Sequence, residues 1–129
     1  MPVLSEGGWN IDYVEAGAGS PVILIHSSVS GNQQWRSLGE ALKDSHRVLA
    51  VNLFGYGDTT PWPENAVQTL ADHSDLVFAL CSNSRGPVFI VGHSFGGSVA
   101  LNAAYYIPKK RGESCSLNFL ILALKTPIF

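Results

Sequence analysis

Gly92-His93-Ser94-Phe95-Gly96 is the stretch whose residue types and spacing are suited to chemistry. Four apolar strand formers, Val88-Phe89-Ile90-Val91, run into it without a loop, and Gly97-Ser98-Val99-Ala100 opens a helix behind it. A serine at so tight a strand-to-helix turn is held in a strained backbone conformation, its hydroxyl raised above the sheet edge. Glycines two before and two after let strand and helix approach without Cβ clashes. The first turn of the following helix offers free N–H groups and the positive end of its dipole. Such a place suits an attacking oxygen and the negative charge that develops in acyl transfer. The competing reading is a glycine-rich turn that only packs, or that seats a phosphate on the helix N-terminus. A Walker-type loop is excluded, because no lysine follows in the G-K-[ST] position.

The elements that must position this serine are legible in the hydrophobic pattern. Trp9 to Val14 alternates apolar and polar, as a half-buried antiparallel strand does. Gly17-Ala18-Gly19-Ser20-Pro21 is a turn; its G-x-G precedes a strand, not a helix, so it is no dinucleotide loop. Val22-Ile23-Leu24-Ile25 and Val48-Leu49-Ala50-Val51 are continuously apolar, the mark of strands covered on both faces. Between them a helix is expected from about Asn32, with Trp35, Leu38, Ala41 and Leu42 on its buried face. Thr69-Leu70-Ala71-Asp72 reads as a capping box opening a helix to about Asn83, with Leu70, Val77, Leu80 and Cys81 as its apolar stripe. The helix after Ser94 is expected to run to about Tyr106 and stop at Pro108, and Leu117 to Leu124 to form a last strand. Strands alternating with helices imply an α/β fold, a mostly parallel sheet with helices on both faces. Ligands bind such sheets at the carboxyl ends of the strands. His26-Ser27-Ser28, Asn52 to Asp58, Ser94-Phe95 and Leu124 to Phe129 all fall at those ends, on one rim.

Composition narrows the function further. The 129 residues suit one domain with a sizeable core, 46% of them being hydrophobic. A net charge of −2 points to no nucleic acid and no anionic membrane. Lys109-Lys110-Arg111 is read as a solvated helix end. Cys81 and Cys115 have no metal-ligand spacing and fit a reducing compartment. The first residues lack a signal peptide's basic and apolar regions, and no apolar run reaches a membrane span. A cytoplasmic protein is the expectation.

These landmarks, in this order, resemble the α/β-hydrolase fold family over essentially the whole chain. His26 stands where the family has H-G-x, Leu53-Phe54-Gly55-Tyr56-Gly57-Asp58 is similar to its D-x-x-G-x-G-x-S loop, and Gly92 to Gly96 to its nucleophile elbow. The resemblance implies Ser94 as nucleophile, with the backbone N–H groups of Phe95 and Ser28 forming the oxyanion hole. It makes Phe54, Tyr56 and Trp62 candidates to line an acyl pocket, or else core residues. A serine at the elbow is unlike the haloalkane dehalogenases and epoxide hydrolases of the family, whose nucleophile is aspartate. The resemblance implies a small-molecule substrate and neither metal nor organic cofactor; ester chemistry is the default expectation, and carbon–carbon bond hydrolases share the architecture.

Two departures stand out. Ser27 replaces the family's glycine after His26. Family order is Ser, then Asp or Glu, then His, yet downstream of Ser94 there is one acidic residue, Glu113, and no histidine. Residues 1–129 therefore read as the N-terminal part of one α/β-hydrolase domain, lacking lid and C-terminal strands, with triad acid and histidine outside this chain and activity of this chain alone not expected. Of the histidines present, His26 is expected to be fixed by backbone bonds, and His93 to point away from Ser94 by strand alternation. His46 and His73 are read as surface residues. An uncovered strand 117–124 would invite self-association. A monodisperse, cooperatively melting monomer would refute that expectation. Two rivals stand beside the enzyme: a non-catalytic small-ligand binding module of the same fold, and a flavodoxin-like nucleotide binder.

Overall fold

The computed structural model describes residues 3–6, 8–81 and 87–111. The expected strand 117–124, the segment Leu124 to Phe129, Glu113 and Cys115 lie outside them.

Five strands form one sheet: β1 (Val3–Glu6), β2 (Trp9–Ala16), β3 (Pro21–Ile25), β4 (Arg47–Val51) and β5 (Phe89–Gly92), in the order β1-β2-β4-β3-β5. β4, β3 and β5 run parallel, while β2 and β1 extend the sheet antiparallel. The parallel strands finish level, since Ile25 pairs with both Val51 and Gly92. The segments leaving these three strands therefore emerge on one rim, as the alternation of elements predicts. β1 is too short and polar to be legible in the sequence, and a turn with Gly8 at φ 85 folds it onto β2.

The helices cover both faces. α1 (Arg36–Leu42), entered through a 3₁₀ turn at Asn32–Trp35, lies over Val22, Leu24, Val48, Ala50 and Val91. α2 (Leu70–Cys81) and α3 (Phe95–Arg111) lie on the larger core of Ile11, Ile23, Ile25, Leu49, Val51 and Ile90. Thr69 and Asp72 form the expected cap, the Asp72 carboxylate accepting the Thr69 N–H at 2.7 Å.

The structure corrects several expectations. The segment after Asn32 is 3₁₀ before it is α, because Asn32 is pinned to β4: its N–H donates to Asn52 Oδ1 at 2.8 Å and its side chain to the Ala50 carbonyl at 3.2 Å. Ala41 is exposed, and so is Leu70 at the first position of α2, beyond the edge of the core. β2 does not alternate cleanly: Ile11 and Asp12 are both buried, one in the core and one in a polar cluster. α3 continues through Pro108 to Arg111; a proline removes one helical hydrogen bond and kinks a helix without always ending it. His73 is buried, only 6% exposed, because the His73 side of α2 faces Phe54 and Phe95.

Candidate active site

Ser94 has φ 55, the one non-glycine residue with positive φ among those described, and it is exposed. The left-handed conformation costs a side-chain-bearing residue about 1–2 kcal/mol, so the surroundings must impose it. They do so through hydrogen bonds on both sides. The His93 N–H donates to the Ile25 carbonyl of β3 at 3.1 Å, and the Gly96 N–H to the His93 carbonyl at 2.9 Å. The flanking glycines are sterically required. A Cβ on Gly96 would lie 2.6 Å from the His26 carbonyl oxygen and closer still to that of Ile25, and one on Gly92 would lie 2.7 Å from the Gly97 nitrogen. Strand, turn and helix are thus pressed together, and the serine is what projects.

Facing it, at the end of β3, is the segment His26-Ser27-Ser28. His26 is fully buried and anchored at both nitrogens. Nε2 accepts the Leu53 N–H at 3.0 Å, so the proton sits on Nδ1, which donates to the Ser27 carbonyl at 2.7 Å. Burial holds its pKa below the ordinary histidine value, against the opposing pull of the Ser27 bond. The Ser27 N–H donates to Gln34 Oε1 at 2.9 Å, and the Tyr56 hydroxyl donates to the Ser28 carbonyl. The N–H groups of Ser28 and Phe95 donate no hydrogen bond among the described residues. Two amide hydrogens thus stand uncommitted on the rim that carries the serine.

A buried polar cluster holds the loop that bears Tyr56. Asp12 Oδ2 accepts from Asn52 Nδ2 at 2.9 Å and from the Asp58 N–H at 3.0 Å. Thr59 Oγ1 accepts the Asp12 N–H and donates to the Asn52 carbonyl at 2.7 Å. Gly57, at φ 52, passes so close to Asp12 and Asn52 that a Cβ there would strike both side chains. Sequence reading put Asn52 in the rim loop but missed Asp12, which sits at an ordinary polar position of β2, and so missed the bond between them.

The candidate pocket residues divide. Phe54 is buried in the core, edge-on to Trp9 at 4.9 Å and to Trp62 at 5.0 Å. Tyr56 packs on the His26 ring at 4.5 Å and reaches the rim through its hydroxyl. Trp62 is half-buried and donates its indole N–H to the Ala66 carbonyl. His93 Nδ1 meets Gln34 Nε2 at 2.6 Å. His46 precedes β4 at the opposite end of the sheet. His73 lies 5.2 Å from the Phe95 ring, and burial lowers its pKa against the nearby Asp72 charge. No cluster of three or more His, Cys, Asp or Glu able to hold a metal exists among the described residues. No helix among them is long and apolar enough to cross a membrane.

Comparison with known proteins agrees with this geometry. The profile of the Alpha/beta hydrolase family matches residues 22–124. A 2-hydroxy-6-oxo-6-(2'-aminophenyl)hexa-2,4-dienoic acid hydrolase of Metapseudomonas resinovorans is 34% identical over 104 residues, 78% of this chain and 36% of that protein. A soluble epoxide hydrolase of Corynebacterium sp. strain C12 is 36% identical over 100 residues, 76% of this chain and 34% of that protein. Among solved structures, a meta-cleavage product hydrolase of Pseudomonas fluorescens IP01 superposes with a TM-score of 0.71 at 29% identity, covering 91% of this chain and 43% of the other. The chain spans about a third of the length of these two curated relatives. Fold, rim geometry and family profile agree: this chain belongs to the alpha/beta hydrolase family.

Proposed function

We propose that Ser94 is the nucleophile of a hydrolase that cleaves an ester or related acyl bond, carbon–carbon bonds included, through an acyl-enzyme. The observation that carries this reading is the serine at φ 55, exposed on a rim that also presents the N–H groups of Phe95 and Ser28, which donate no hydrogen bond among the described residues. The hydroxyl oxygen attacks the substrate carbonyl carbon, and its proton passes to a general base. The two amide hydrogens receive the oxygen as it becomes negative, and pre-aimed donors of this type lower the barrier by about 3 kcal/mol each. Collapse expels the leaving group, and water then releases the acyl chain from Ser94. Both relatives named above are hydrolases, one of a dienoic acid and one of epoxides. Serine at the elbow favours acyl chemistry over the epoxide reaction.

The general base is assigned outside these 129 residues. His26 has both nitrogens committed to backbone groups, and His93 Nδ1 is taken by Gln34. This favours, as a second reading, a non-catalytic module that binds an acyl ligand on the same rim. A fluorophosphonate probe, applied with added imidazole in place of the base, separates the two. The nucleophile reading expects an adduct on Ser94 and none on Ser98, which is exposed one turn further along α3. Equal labelling of both serines, or saturable ligand binding with no adduct, favours the module.

A further inference from the structure

We infer that Gln34 is a positioning residue that ties the loop at the end of β3 to the Ser94 turn and sets which nitrogen of His93 carries the proton. The importance of that loop for the oxyanion rests on the reading above; the bridge itself rests only on geometry. Gln34 lies in the 3₁₀ turn that Asn32 pins to β4, so its side chain starts from a fixed base. One end of its amide meets the Ser27 N–H at 2.9 Å, and the other meets His93 Nδ1 at 2.6 Å.

The orientation of that amide follows from chemistry. A backbone N–H can only donate, so the atom facing Ser27 is Oε1, and the atom facing His93 is the donating Nε2. His93 Nδ1 must then accept, which places the ring proton on Nε2. One unambiguous donor therefore fixes a histidine tautomer 66 positions away in the chain. The Gln34 side chain also joins the residue before Ser28 to the residue before Ser94, adding a side-chain bridge to the backbone bond between His93 and Ile25. Ser27 strengthens the tether, its hydroxyl donating to Ser30 Oγ at 3.2 Å within the same loop. Nothing in the N-Q-Q-W sequence separates Gln34 from a solvated helix position.

The test uses nitrogen NMR of the intact chain, with Gln34→Glu and Gln34→Met. In the unaltered chain His93 is expected as the Nε2–H tautomer, and the Ser27 amide is expected to be protected from exchange. Gln34→Glu keeps an acceptor for Ser27 but offers His93 only another acceptor. The His93 proton should then move to Nδ1, with Ser27 protection retained. Gln34→Met removes both bonds, and Ser27 exchange should quicken about tenfold or more, the loss of one modest hydrogen bond. Imidazole-assisted labelling of Ser94 should fall in Gln34→Met and largely survive in Gln34→Glu. An Nδ1–H tautomer in the unaltered chain, or a tautomer unmoved by Gln34→Glu, overturns the inference. Absence of Ser94 labelling in every form, with the tautomer switch intact, instead overturns the nucleophile reading and leaves the bridge standing.

Discussion

Replacing Gly96 by alanine sets two physical effects against each other with opposite signs. Gly96 lies in the first turn of α3, and in a helix alanine is favoured over glycine by about 1 kcal/mol. Propensity alone therefore predicts stabilisation. The structure predicts the reverse. The new Cβ would stand 2.6 Å from the His26 carbonyl oxygen, where ordinary contact begins near 3.4 Å, and it overlaps the Ile25 carbonyl more deeply. Both carbonyls lie at the end of β3, which has β4 on one side and β5 on the other, so neither can yield cheaply. Overpacking of this kind costs about 3 kcal/mol, leaving a net loss of about 2 kcal/mol after the helix term. Gly39→Ala supplies the control. Its Cβ would sit 3.7 Å from Val48 Cγ1, an ordinary contact in the middle of α1, so propensity should prevail there. Urea unfolding followed by tryptophan fluorescence reads both. With a slope of about 2 kcal/mol per molar, Gly96→Ala should lower the midpoint by roughly 1 M and Gly39→Ala raise it by roughly 0.5 M. A Gly96→Ala chain at or above the unaltered midpoint would refute the claim that the turn is sterically closed around Ser94.

Other expectations rest on the same geometry. Ser94→Gly should be about 0.5–1 kcal/mol more stable than Ser94→Ala, since only glycine relieves the left-handed backbone; equal midpoints would deny that strain. Stability should be fully present above the unfolded-state histidine value of about 6.5 and decline as the pH falls towards the depressed values of His26 and His73, where the unfolded chain binds protons that the folded chain refuses. His73→Phe should flatten part of that acid slope, and an unchanged slope would show that His73 does not contribute. Tyr56→Phe should cost at most about 1.5 kcal/mol of stability while lowering imidazole-assisted labelling of Ser94 several-fold. Labelling at the unaltered rate would mean that the Ser28 carbonyl needs no such hold.

The parts of the fold set by local pattern were legible in the sequence. β3, β4 and β5 are continuous apolar runs because both faces are covered, and the glycine spacing around Ser94 states a steric need that the structure shows. What escaped is what remote segments decide. Asp12 is buried because Asn52, Asp58 and Thr59, at least forty residues away, surround it with partners. His73 is buried because Phe54 and Phe95 enclose it, although its neighbours in α2 give no such sign. Gln34 acquires its place only when the ends of β3 and β5 come together. Sequence periodicity reports how much apolar surface a segment presents; it does not report which polar side chains will find one another once the strands are in register.

In the proposed site the Ser94 oxygen and two backbone amides converge on one point in space. A crystal structure of the chain carrying a phosphonate on Ser94 measures this directly. The expected result is a left-handed Ser94 whose adduct oxygen lies about 2.7–3.1 Å from the N–H nitrogens of both Phe95 and Ser28. An adduct oxygen turned to solvent, with Ser28 and Phe95 bonded elsewhere, would contradict it.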